Sequence, residues 1–184
     1  AFELASALEA PLDVCLVRKL GVPGHPELAM GAIAAGGIEI LNQELIRDLR
    51  IPRTLVQQVA ARERRELERR DRLFRGDRPP AVVHHRTVVL VDDGLATGST
   101  MQAAITALRQ QAPACIVVAV PVGAREACDR IRHLADCVVC LASPHRFEAV
   151  GRWYEEFTQT SDEEVTRLLA AAGRAAVPAA TGRR

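Results

Sequence analysis

Residues 87–100, Thr-Val-Val-Leu-Val-Asp-Asp-Gly-Leu-Ala-Thr-Gly-Ser-Thr, constrain the fold of this chain more than any other stretch. Val88 to Val91 form a short apolar, mostly β-branched run that suits a strand buried on both faces. Asp92, Asp93 and Gly94 end it with two carboxylates and a turn residue. Beyond them Met101, Ala104, Ile105 and Leu108 recur at helical spacing, which predicts a helix starting near Gly98 or Ser99. The chain therefore runs strand, acidic elbow, small-residue loop, helix N-terminus.

Each part suits one kind of ligand. The first amides of a helix have no internal partners and carry the positive end of the helix dipole, so they attract a phosphate. Ala96, Thr97, Gly98, Ser99 and Thr100 are all small, so backbone N–H groups can approach an anion closely and three hydroxyls can add bonds. Asp92 and Asp93 would repel that phosphate but suit sugar hydroxyls beside it. A phosphate at the loop and a diol at the acids describe a ribose 5-phosphate. The competing reading is a βα unit whose acids only cap a loop.

At these residues the chain resembles the type I phosphoribosyltransferases, whose signature is a hydrophobic strand, two acidic residues, two or three variable positions and Thr-Gly-x-Thr. Residues 88–100 match it throughout, and Asp-Asp-x-Leu-Ala-Thr-Gly is closest to the adenine-type pattern. The resemblance implies an α/β fold: a mainly parallel sheet flanked by helices, with a flexible flap. It implies transfer of phosphoribose from phosphoribosyl pyrophosphate (PRPP) to a nucleobase or similar nucleophile, with release of pyrophosphate. Asp92 and Asp93 would hold the ribose hydroxyls as the catalytic pair, and Ala96, Thr97, Gly98, Ser99 and Thr100 the 5-phosphate. Mg²⁺ would come bound mainly through PRPP, with no protein ligand assigned, and a homo-oligomer is compatible. Some members carry a carboxylate acting near the base where this chain has Ala96, so no general base is available there. A non-catalytic sensor of PRPP or nucleotides would use the same residues, because binding and chemistry share them.

A chain of 184 residues predicts one domain, here residues 1–172, with an Ala-, Gly- and Pro-rich tail over 173–184. Lys and Arg (24) balance Asp and Glu (23), so no global field points to nucleic acid or a membrane. Five cysteines, an odd number, fit reduced thiols in a cytoplasm better than a disulfide framework. The chain opens on Ala1 with Phe2, Leu4, Ala5 and Leu8 already at helical spacing. The resembling family has a strand and a pyrophosphate loop before this helix, so the N-terminus is expected to be incomplete.

Pro11 closes the helix, and residues 12–17 read as a strand ending in Arg18-Lys19-Leu20-Gly21-Val22-Pro23-Gly24. Positive charge at the carboxyl end of a strand lies where α/β sheets bind ligands. The family resemblance places Arg18 and Lys19 near the pyrophosphate; the alternative is a solvated pair at a strand end. Residues 31–37 are small and glycine-bounded and 38–41 form a brief strand, where the family has a flap bearing Glu39, with Glu27 just before it. Residues 55–74 are a helix whose apolar stripe is interrupted at Glu63, with arginines and acids interleaved at i+3 and i+4, the pattern of a salt-bridged face rather than a nucleic-acid stripe. His84 and His85 lack a third ligand for a metal.

Residues 115–120 and 137–141 read as strands around a helix at 125–134, predicting a parallel sheet with helices on both faces. Cys137 and Cys140 have CxxC spacing but point to opposite faces of a strand, as buried structural thiols. Phe147, Trp153, Tyr154 and Phe157 admit two readings, packing of the terminal helix onto the sheet or a stack for a flat base. Ser161 and Glu164 form a capping box for the last helix.

Overall fold

The computed structural model describes residues 1–175. Its strands divide into two sheets of three. The first is antiparallel, in the order β1 (Val17–Val22), β2 (His25–Ala34), β3 (Ile38–Leu41). The second is parallel, in the order β4 (Thr87–Val91), β5 (Cys115–Val122), β6 (Cys137–Ala142). The flap expected around 31–41 is therefore part of a complete small sheet, in which β2 is paired on both sides.

The parallel sheet takes its helices from the crossovers. α4 (Ser99–Arg109) links β4 to β5, and α5 (Arg125–Arg132) links β5 to β6. Two crossovers of one hand stepping across a sheet in one direction leave their helices on the same face. That face carries Leu90, Ile116, Val118 and Val120, packed against Met101, Ile105 and Leu108 of α4 and Cys128 and Ile131 of α5. The opposite face stays open: Val89, Val139 and Leu141 are 37%, 45% and 81% exposed. The expected α/β fold with a parallel sheet flanked by helices is present, but β4 is not buried on both faces, because α4 and α5 lie on one side of it and Val89 on the other is exposed. A hydrophobic run reports that a strand is apolar, not which connection covers its second face.

The strand expected over 12–17 starts later. No ladder forms before Val17, because a segment becomes a strand only where a neighbour accepts its backbone bonds. Arg18 and Lys19 thus lie inside a hairpin strand rather than at a strand's carboxyl end. Among the described residues β4 pairs with β5 alone, and it lines a cavity of about 990 Å³ together with Leu4, Leu8, Leu12 and Leu16.

α3 (Arg53–Arg75) lays Val56, Val59, Ala60 and Leu67 on Leu20, Val22, Met30 and Ile33 of the first sheet, forming a second core. Arg69 and Arg70 pair with Glu66 at i+3 and i+4, as the interleaving predicted, whereas Arg64 reaches across to Glu39 of β3. Arg75 is buried and bonds Asp71 at 2.9 Å, Asp13, and the carbonyl of Val14 at 3.2 Å, which ties the end of α3 to the 13–14 segment. Two short helices, α1 (Phe2–Ala7) and α2 (Gln43–Asp48), and a terminal helix, α6 (Asp162–Ala175), complete the described chain. The Ser161 hydroxyl accepts from the Glu164 amide at 3.2 Å, the expected N-cap of α6. α6 continues to Ala175, and the rest of the tail expected over 173–184 lies outside the described residues. No helix among the described residues is long and apolar enough to cross a membrane.

Candidate functional site

The loop between β4 and α4 is built as its residues dictate. The Asp92 amide bonds the Ala119 carbonyl at 3.4 Å, prolonging the β4–β5 pairing by one residue. The Asp92 carboxylate then folds back and accepts the amide of the next residue, Asp93, at 3.0 Å, where the strand ends. Leu95, almost fully buried, re-anchors the loop: its amide bonds the Val122 carbonyl at 3.0 Å and its carbonyl accepts from the Ala124 amide at 2.8 Å. Between these ties Asp92 is half-buried and Asp93 exposed. Burial pushes the Asp92 carboxyl above its ordinary value, the Asp93 amide opposes this, and the charge of Asp93 adds to it. The two acids thus differ in environment.

Gly98 is the N-cap of α4 and sits in the left-handed region at φ +71°. Gly98 has no side chain to cap this helix, and of the first-turn amides that of Ser99 turns to Thr97 Oγ1. Thr97 Oγ1 lies 3.0 Å from Ser99 Oγ and accepts the Ser99 amide at 3.4 Å, which gathers both hydroxyls at the mouth of the loop. Ala96, Thr97 and Thr100 are exposed and Ser99 half-buried, while Gly98 is buried against α5. Ile131 and Ala127 lie 3.5 to 3.7 Å from where a Gly98 Cβ would stand. Small residues, a left-handed glycine and the start of a helix thus lie a few residues beyond two carboxylates.

One observation decides the family. The phosphoribosyl transferase domain model matches residues 27–160, most of the chain and the whole of this loop. The chain belongs to the phosphoribosyl transferase family. Two Mycobacterium tuberculosis proteins, from strains CDC 1551 and H37Rv, each named "Putative phosphoribosyl transferase", are 45% identical to it over 174 residues. That alignment covers 95% of this chain but 39% of each relative, so the chain spans well under half the length of these curated relatives. The crystal structure of TT1426 from Thermus thermophilus superposes with a TM-score of 0.84 at 42% identity, over 92% of this chain and 80% of that one.

Within this family member Arg18 and Lys19 have separate surroundings. Strand alternation turns them to opposite sides of β1. Arg18 shares the side of Leu20 and Val22, facing α3, and its Nε and Nη2 both donate to Glu63 Oε2, at 2.9 and 2.6 Å. Burial pushes the Glu63 carboxyl up, but the bonds from Arg18 and Arg62 more than offset this and hold it below its ordinary value. Lys19 lies on the side of Val17, which packs on the core shared by β4 and α4, and no described ion pair engages it. The interruption of the α3 stripe at Glu63 was the visible signal of this buried acceptor.

The aromatic segment reaches the acidic elbow. A 3-10 turn (Val150–Trp153) brings Val150 against Gly94, where an added Cβ would stand 2.8 and 2.9 Å from the valine methyls. Tyr154 follows and donates its hydroxyl to the Asp93 carbonyl at 2.6 Å. No sequence signal links residues 61 positions apart. Cys137 is exposed rather than buried, since it lies on the open face of β6, while Cys140 faces the covered side. No cluster of three or more metal-ligating side chains occurs among the described residues.

Proposed function

We propose that this chain moves the phosphoribosyl group of PRPP onto a nitrogenous base or similar nucleophile and releases pyrophosphate. The observation that carries this reading is the 92–100 loop: paired carboxylates on a fixed strand end, then a left-handed glycine at the start of a helix. Asp92 and Asp93 accept hydrogen bonds from the ribose hydroxyls. The backbone of Ala96, Thr97, Gly98, Ser99 and Thr100, with the Thr97, Ser99 and Thr100 hydroxyls, holds the 5-phosphate.

The bond from the anomeric carbon to the pyrophosphate oxygen breaks with its electron pair leaving on pyrophosphate. The lone pair of the acceptor nitrogen forms the new bond, and the acceptor gives up its proton to water or to pyrophosphate. Positive character develops on the ribose as the bond breaks, and the nearby carboxylates stabilise it. Lys19, free of ion pairs among the described residues, meets the leaving charge, while Arg18 bonds Glu63. Two neighbouring carboxylates without a third ligand fit Mg²⁺ only when substrate oxygens and water complete its shell. When bound, the ion would neutralise pyrophosphate as it departs.

Isotope exchange between labelled pyrophosphate and PRPP, run across a panel of purine and pyrimidine bases, tests the reading. Exchange that depends on one base or a small set supports transfer and names the acceptor. Tight PRPP binding with no exchange for any base would instead make the chain a sensor of PRPP or nucleotides.

A further inference from the structure

We infer that Tyr154 is a positioning residue for the ribose-binding carboxylates, holding the acidic elbow in register from the far end of the domain; the inference rests on the reading of Asp92 and Asp93 as the diol site. The elbow is tied at both ends and loose in the middle. Asp92 is fixed by the Ala119 carbonyl and Leu95 by the Val122 carbonyl and the Ala124 amide, all of them β5 or its continuation. Between them, the Asp93 carbonyl accepts the Tyr154 hydroxyl at 2.6 Å.

The latch is itself braced. The Tyr154 ring lies 5.2 Å from that of Phe157, tilted by 44°, in the range of a favourable aromatic pair. Phe157 in turn fills the space beside Gly151, where an added Cβ would lie 2.7 Å from its ring. Val150 presses on Gly94, the residue that follows the acids. Hydroxyl and methyls therefore restrain successive elbow residues from one short turn. Burial, then the charges of Asp93 and Asp92, push the Tyr154 phenol above its ordinary value, so it stays protonated and remains a donor.

Fixing the Asp93 peptide plane fixes the direction of its side chain, since the Cα–Cβ bond moves with the backbone. A peptide free to rotate would spread the two carboxylates over several orientations, only some of which meet a vicinal diol. The phosphate loop would be spared, because Leu95 insulates it with its own bonds to β5. The role thus predicts loss of ribose recognition without loss of phosphate recognition.

Calorimetry on the full chain with ribose 5-phosphate and with inorganic phosphate tests this, using Tyr154→Phe, which deletes the hydroxyl and keeps the ring pair. Ribose 5-phosphate affinity should fall about tenfold, the scale of one lost hydrogen bond, while phosphate affinity changes less than about twofold. Val150→Ala, which loosens the second restraint without touching the hydroxyl, should shift affinity the same way by a smaller factor. Unchanged ribose 5-phosphate affinity in Tyr154→Phe overturns the positioning role and leaves the diol site standing. Equal losses for both ligands also overturn it, showing that the tyrosine serves general stability. A wild-type chain that binds phosphate and ribose 5-phosphate equally well removes the diol site, and the latch with it.

Discussion

Replacing Gly98 by alanine separates the two demands that the phosphate loop places on one residue. At φ +71° an L-residue adopts the left-handed region at a cost of about 1–2 kcal/mol. Space adds nothing to this, because the new methyl would stand 3.5 Å from Ile131 Cγ1 and 3.7 Å from Ala127 Cβ, both ordinary contacts. For a chain of this size, that cost lowers the melting temperature by about 2–8 °C. The alternative to bearing the strain is rotating the peptide, which would misdirect the loop amides and strain the bond from the Gln102 amide to the Gly98 carbonyl, now 2.8 Å. Losing one charge-assisted bond to a phosphate is worth about 1.5–3 kcal/mol, or roughly 10- to 100-fold in affinity. Gly36→Ala is the matched control: its φ is +82°, no atom lies within 4 Å of the new methyl, and it sits in the turn between β2 and β3. Scanning calorimetry should give both variants similar melting temperatures, and titration with inorganic phosphate should weaken only for Gly98→Ala. If both lose phosphate affinity alike, or if Gly98→Ala binds as wild type, the loop does not hold the anion through its backbone.

Replacing Asp92 and Asp93 together by Asn should weaken ribose 5-phosphate strongly while leaving inorganic phosphate unchanged or tighter, as isothermal titration would show; equal losses would mean that the acids serve the loop's shape. Because burial raises the Asp92 carboxyl, its ionised form is disfavoured in the folded state and opposes folding above its folded pKa, so Asp92→Asn alone should raise the melting temperature at neutral pH and have little effect at acid pH. Lys19→Ala should weaken pyrophosphate binding with little change in stability, whereas Arg18→Ala should chiefly destabilise; the reverse assignment would place Arg18 at the ligand. Glu63→Gln should cost about 1–2 kcal/mol at pH 7, less than for a fully buried pair, because the Arg18 side chain is 34% exposed. The Glu63 carboxyl is held below its ordinary value, so its contribution is present above the unfolded pKa and lost as pH falls through the folded one; denaturant melts should show wild type and variant converging at low pH.

What the sequence determined by itself is local. The break from Val91 to Asp92, the small residues up to Thr100 and the spacing of Met101, Ala104, Ile105 and Leu108 are contiguous, so one window of sequence states the strand, the elbow, the loop and the helix start together. The Ser161 cap and the salt-bridged outer face of α3 were readable for the same reason, since their partners stand three or four residues apart. Tertiary structure decided what depends on partners distant along the chain. It separated Arg18 from Lys19 by giving one of them Glu63, and it began the β1 ladder at Val17, with the Val14 carbonyl taken by Arg75 instead of by a strand. It placed α4 and α5 on one face of β4, β5 and β6, because both crossovers step in the same direction, and left Val89, Val139 and Leu141 of the other face exposed. It brought Tyr154 to the Asp93 carbonyl, a contact that no periodicity encodes. Chemistry set by neighbours along the chain is written in residue order, whereas the orientation of that chemistry is fixed by hydrogen bonds and packing that exist only once the chain has closed on itself.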